Sequence, residues 1–219
     1  MDYKVSVQRV AESEGANLKA FASVIFEGSF KVTGIKVYQG KNGPFVAMPN
    51  YNTHEVDRDN RPVYEDLCHP VTRGFREDLN GNILQCYQDN QEDHQVYERT
   101  CSYGEEGLSV TANITPYTKE GRDIQGRGRI VLNNCFAVKN VVVHGSEKGN
   151  WVSMPSVRNR SDFQDVCYPI TKDFRMEMNS KVLGALEDAI GKDMDAPARA
   201  AEERPVAHNP KRQEHKRGR

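Results

Sequence analysis

The amino-acid sequence predicts an α+β chain in which one β-sheet domain occurs twice, each copy closed by a C-terminal amphipathic helix. Three observations predict it. The phrase GPFVAMPN at 43–50 returns as GNWVSMPS at 149–156, 106 residues later. That interval is too long for a solenoid repeat and about right for a small domain. The likeness also spreads outward. SFKVTGIKVYQGKNG (29–43) lies over CFAVKNVVVHGSEKG (135–149) without a gap. DLCHPVTRGFREDLNGNIL (66–84) lies over DVCYPITKDFRMEMNSKVL (165–183) with eight of 19 residues identical. Finally, each copy switches from the period of a strand to the period of a helix.

The elements follow in order. LKAFASVIFE (18–27) alternates, placing Leu18, Ala20, Ala22, Val24 and Phe26 on one face. Its counterpart places Ile124, Gly126, Gly128, Ile130 and Leu132 there. The small residues predict a close approach by something bulky, such as a helix. The Gly-Arg-Gly-Arg run at 126–129 lacks the spacing and following helix of a phosphate loop and is read as strand. In the next strand Phe30 and Val32 have one parity, Ile35 and Val37 the other. One face can hold all four if a bulge lies near 33–34, where Gly34 and its equivalent Asn140 tolerate positive φ. Pro49 and Pro155 stop the strand after the turn, and a short strand through Cys68 or Cys167 ends at Pro70 or Pro169. Thr72 and Thr171 stand at helix N-caps. Beyond them Phe75, Leu79, Ile83 and Cys86, and then Phe174, Met178, Val182, Leu186 and Ile190, recur at helical spacing. The expected domains are 1–90 and 108–192, joined by a polar, acidic linker at 91–107. Residues 193–219 read as a disordered basic tail, too polar to bury a core.

Composition narrows the function classes. No run approaches a membrane span, and the start MDYKVSVQRV lacks an apolar signal core, so the expectation is a soluble, cytoplasmic protein. The five cysteines lack C-x-x-C spacing and read as small buried hydrophobes rather than ligands; Cys68–His69 becomes Cys167–Tyr168 in the second copy. Glu55, Asp57 and Asp59 alternate only in the first copy and read as a solvated loop. No nucleophile elbow, Walker loop or duplicated His is found, so neither an enzyme nor a cofactor or metal is expected. The net charge of -1 hides a partition: -6 over 1–107, +3 over 108–192 and +2 over 193–219. A polyanion would prefer the second half.

The early V-x-V-x-x-V at 5–10, the alternating strand ending at Phe30, G-x-F-V-A-M-P and the acidic residue before C-H-P resemble the SpoVG family of septation and sporulation regulators. The resemblance covers about 4–90 and, with W-V-S-M-P and Y-P in place of the motif, 108–190. It implies a sheet-plus-helix unit that dimerises by strand pairing, and therefore an intramolecular pseudo-dimer here. Fusion replaces a bimolecular encounter by a high effective concentration and lets the halves diverge. It further implies DNA as partner, with RNA second; the alternative is a protein-interaction module that has lost nucleic-acid binding. The candidate contacts are Arg73 and Arg76 at the first helix start, Lys172 and Arg175 at the second, Arg158 and Arg160 after M-P, and Arg127 and Arg129 on the outer strand face. Cations at helix starts could join free amides on a phosphate or be ordinary solvated charges. Lys211, Arg212, Lys216, Arg217 and Arg219 could add non-specific attraction. No aromatic stacking platform is evident, which counts against a single-strand reader.

Overall fold

The computed structural model describes residues 1–11, 16–117, 123–147, 149–159 and 162–202, leaving aside the side chains of Asn159 and of 193–202. The first copy runs β1 (Asp2–Arg9), β2 (Leu18–Phe26), β3 (Phe30–Gly40), β4 (Gly43–Ala47), β5 (Asn50–Val56), β6 (Pro62–Asp66), β7 (Cys68–Pro70) and α1 (Arg73–Asp89), followed by β8 (Val96–Ser102). The second runs β9 (Val110–Pro116), β10 (Ile124–Leu132), β11 (Phe136–His144), β12 (Trp151–Ser153), β13 (Ser156–Asn159), β14 (Asp162–Asp165), β15 (Cys167–Pro169) and α2 (Lys172–Glu202).

The two copies exchange strands. β7 of the first pairs antiparallel with β11 of the second, Cys68 opposite Val138 and Pro70 opposite Phe136. β15 of the second pairs with β3 of the first, Cys167 opposite Val32 and Pro169 opposite Phe30. The flanking bonds repeat the relation: Lys139 N–H donates to Leu67 O at 2.8 Å, and Thr33 N–H to Val166 O at 2.7 Å. The first sheet therefore has the order β15-β3-β2-β1-β8 with β4 beside β3, and the second β12-β11-β10-β9 with β7 beside β11. Neither sheet is complete without a strand from the other half. The pseudo-dimer expected above is built by this reciprocal exchange, and one buried cluster draws on both halves. Within it, Phe136 of the second copy lies 5.1 Å from Phe26 and 6.4 Å from Phe75, ring centre to ring centre.

The predicted bulge is present in both copies. Ala22 faces Ile35 and Val24 faces Val32, so β3 carries one extra residue there; Gly128 faces Val141 and Ile130 faces Val138 likewise. Gly34 takes φ 74 and Asn140 φ 56. Phe30, Val32, Ile35 and Val37 are consequently all buried on one face. The small-residue face is explained at Gly126, where an added Cβ would meet Leu186 of α2.

Both helices cover their own sheets, and α1 buries the four residues its period selects. Thr72 caps it with extended backbone, its Oγ1 accepting from Phe75 N–H at 3.3 Å. Thr72→Ala is expected to cost about 1 kcal/mol, measured as a shift in the urea midpoint. In α2, Phe174, Met178, Val182 and Leu186 are buried, but Ile190 is exposed because the helix has run past the sheet.

Three expectations change. The linker assigned to 91–107 contains β8, which extends the first sheet against β1 from Asp2↔Ser102 to Gln8↔Val96. Its side chains are mostly exposed on both faces, so it shows no alternation; backbone pairing and Glu98, bonded by Lys4 and Ser6, hold it. The connection after M-P forms the hairpins β5–β6 and β13–β14 ahead of the short exchanged strands. Helix α2 continues to Glu202, ten residues past the boundary drawn at 192; the cations of 211–219 lie outside the described residues.

Candidate nucleic-acid interface

Gly126, Ile130 and Leu132 face inward on β10, so the pleat turns Gln125, Arg127 and Arg129 outward. β9 lies alongside with Arg127 opposite Thr115 and Arg129 opposite Asn113, both exposed. On the other flank Arg127 faces Val142, Val142 faces Ser153, and His144 faces Trp151. The outward positions of β9–β12 thus bear Thr111, Asn113, Thr115, Arg127, Arg129, Lys139, Val142, His144, Trp151 and Ser153, with no acidic residue among them. The Arg127 guanidinium lies 4.7 Å over the Tyr117 ring, a contact that holds it against the sheet while its charge stays at the surface.

The bulge turns Lys139 outward as well, but its Nζ bonds Glu65 Oε1 of the first-copy hairpin at 2.8 Å. That bond, with a second from Tyr51, holds the Glu65 carboxyl below its usual range. Beside it His69, on the exchanged β7, is half-buried and its Nδ1 has no hydrogen-bond partner among the described residues. Burial first, then Lys139, lowers its pKa; Arg76 and Arg129 act on it in the same direction and Asp66 opposes them. Burial raises the Asp66 carboxyl, against the pull of His69, Lys139 and Arg76. Arg76 of the first copy and Arg129 of the second therefore both act electrostatically on one imidazole. The opposite junction carries Tyr168 for His69, Thr33 for Lys139 and Ser23 for Arg129, so this charged cluster is one-sided.

The structure sorts the predicted contacts. Arg127 and Arg129 share an open face. Arg76 Nη2 donates to Pro70 O at 2.7 Å and Arg175 Nη2 to Pro169 O at 2.9 Å. Each arginine braces the end of an exchanged strand against the helix that follows it, a structural role that the spacing did not disclose. Arg73 is paired with Glu77 at 2.7 Å on the solvent side of α1. Lys172 is exposed at the start of α2, and Arg158 is exposed on β13 opposite Phe163. Arg160 lies outside the described residues. Lys36, opposite the exposed Phe21, and Lys31, opposite Ile25, also reach the outer face of the first sheet.

One feature was missed. Trp151 is 51% exposed and stacks on His144 with centres 4.0 Å apart and planes 10° apart. His144 Nε2 is within 2.9 Å of Ser153 Oγ. The first copy keeps the arrangement as Phe45 on Tyr38, at 5.8 Å and 29°. The signal was in the repeated phrase itself: Val46 and Val152 point inward, so the aromatic before each must point out.

Two sheet-and-helix units that complete one another by exchanging strands define a fused pseudo-dimer. The SpoVG family pattern matches residues 2–89 and again 109–188, and the chain belongs to that family in a tandem, two-copy form. Single-copy relatives align with less than half of it. A "Putative septation protein SpoVG" of Clostridium botulinum strain Alaska E43 is 37% identical over 90 residues, 41% of this chain and 91% of that protein. Its namesake in Archaeoglobus fulgidus is 32% identical over 89 residues, 40% of this chain and 98% of that protein. Among the described residues no helix is long and apolar enough to cross a membrane.

Proposed function

We propose that the chain is a non-enzymatic, DNA-binding regulator of the septation-linked type its relatives' names suggest, with the outer face of the second sheet as principal contact surface. The observation that carries this reading is the exposed Arg127–Arg129 pair on a face to which β9–β12 contribute no acidic side chain, the adjoining Glu65 carboxylate of the first copy being engaged by Lys139. Phosphates are the chemistry such a face attracts, and the neighbouring Thr, Asn and Ser side chains can donate to phosphate oxygens. RNA is the second polyanion that would fit. Cytoplasmic placement accompanies this reading.

The test is anisotropy titration of labelled duplex at several salt concentrations. Arg127→Glu/Arg129→Glu is expected to weaken binding and flatten the salt dependence of log K by about 1.8, the share of two phosphates. Arg73→Glu, whose wild-type charge is already engaged by Glu77, serves as the control and should change little. Equal effects in the two variants would remove this face from the interface. Arg158→Glu and Lys172→Glu then ask whether the surface extends to the hairpin and the second helix start.

A protein-interaction role is the second reading. The β5–β6 hairpin favours it, exposing Tyr51, Val56 and Tyr64 next to Glu55, Asp57 and Asp59. Pull-downs with and without nuclease separate the two.

A further inference from the structure

We infer that Trp151, backed by His144, is a stacking platform for an unpaired nucleobase, so that the second sheet engages single-stranded segments of a polynucleotide. This rests on the nucleic-acid reading above and goes beyond it, because phosphate attraction does not distinguish paired from unpaired strands.

The argument begins with what the ring is doing. Trp151 opens a three-residue strand and leaves half its surface to water, although two buried valines nearby, Val141 and Val143, show that apolar space was within reach of the same sheet. One face of the indole is occupied by the His144 imidazole, almost parallel to it. His144 is itself held, its Nε2 at the Ser153 hydroxyl. The indole is therefore oriented before any ligand arrives, and little side-chain freedom remains to be lost on binding. A flat, fixed ring with an accessible surface suits another flat ring.

The surroundings choose which flat ring. Arg127 sits opposite Val142, whose next partner is Ser153, two residues along β12 from Trp151. Strand spacing and rise put the two backbone positions on the order of 12 Å apart. A base on Trp151 thus leaves its neighbouring phosphates within the field of Arg127 and Arg129. Aromatic rings beside cations on a sheet face are the ingredients of single-strand binding, where bases stack on side chains while the groove tracks the backbone. In a duplex both faces of each internal base are already covered, so the ring has nothing to stack upon.

The chain contains a single tryptophan, which makes the test direct. Full-length protein is titrated with oligo-dT and oligo-U, and with a blunt duplex of equal charge, following Trp fluorescence and the anisotropy of a labelled oligonucleotide together. The expected result is quenching by the single strands and not by the duplex. Trp151→Leu keeps an apolar side chain over His144 and should weaken single-strand binding roughly 5- to 100-fold, whereas Trp151→Phe recovers most of it. Duplex affinity should be equal in all three proteins. Quenching by oligo-U alone would assign the site to RNA, and by oligo-dT alone to DNA; either supports the platform. Anisotropy that reports binding while fluorescence and the Trp151→Leu variant show no change overturns the platform and leaves the parent reading standing. Equal quenching by the duplex overturns the preference for unpaired bases. No binding of any oligonucleotide overturns both.

Discussion

Phe136→Ala is expected to lower the stability of the whole chain by about 3–5 kcal/mol. Phe136 belongs to the second copy, is fully buried, and packs against both Phe26 and Phe75 of the first, which also touch each other. Those two rings also contact Tyr3, and Phe75 contacts Tyr103, so one side chain from the second copy completes a cluster of four from the first. Truncation would leave a cavity that cannot collapse, because its walls are sheets pinned by the exchanged strands. The pseudo-equivalent Phe30 meets Phe174 at 6.0 Å. Its own cluster is poorer: Val110 stands in the sheet position of Tyr3, and Leu132 in that of Phe26. Phe30→Ala should therefore cost less than Phe136→Ala. Urea unfolding followed by circular dichroism checks both, with a single transition expected in the parent because the halves share a core. A cost under about 1 kcal/mol for Phe136→Ala, far below the usual price of deleting a buried ring, would mean that the halves do not depend on this contact.

Gly128→Ala is the second large effect, for a different reason. A Cβ at this position would fall 1.9 Å from the carbonyl oxygen of Asn113. That atom is β9 backbone, held in register by the ladder to β10, and it cannot rotate aside. The strands must part or slip, so the cost should equal or exceed the roughly 1–3 kcal/mol typical of overpacking. Gly126→Ala supplies the contrast. Its Cβ would meet Ile114 Cγ2 and Leu186 Cδ1 at 2.8 Å, side-chain atoms of which the Leu186 methyl can swing away, and the nearest backbone atom, Thr115 O, is 3.3 Å off rather than 1.9 Å. Thermal melts should rank Gly128→Ala well below Gly126→Ala. The first copy has Ala22 and Ala20 at these positions, both buried, so the intolerance is local to the β9–β10 pair. If Gly128→Ala melts with the parent, the close approach of β9 is not a feature of the protein in solution. Because Gly128 lies between Arg127 and Arg129, the same approach fixes the spacing of the two cations.

Elements that bury one face were legible in the residues; elements that bury none were not. The alternation of 18–27, the bulge at Gly34 and Asn140, and the four core residues of α1 could each be read because burial imposes a period. β8, β5 and β14 are exposed along most of their length and β6 has no fully buried residue, so backbone bonds define them. Strand pairing between the copies was implied by family resemblance, but the exchange of β7 and β15 was not legible, since a three-residue strand looks the same whichever sheet receives it. At the candidate interface, parity alone placed Arg127 and Arg129 outward. Arg76 and Arg175 were read as phosphate contacts because their carbonyl partners, six residues upstream, leave no mark in the pattern. The Trp151–His144 stack needed the β11–β12 register before its two rings could be brought together.

The exchange also sets a schedule for biosynthesis. On the ribosome, the first half emerges with its β3 edge open, because the strand that closes it ends at Pro169. Until then β7 has no β11 to receive it. Contacts that distant in the chain are slow to form and leave unpaired edges exposed while they wait. A nascent chain stalled between the two copies would thus present a receptive strand to any sibling on the same message, and the tether that makes the finished molecule self-sufficient is what shortens that interval of exposure.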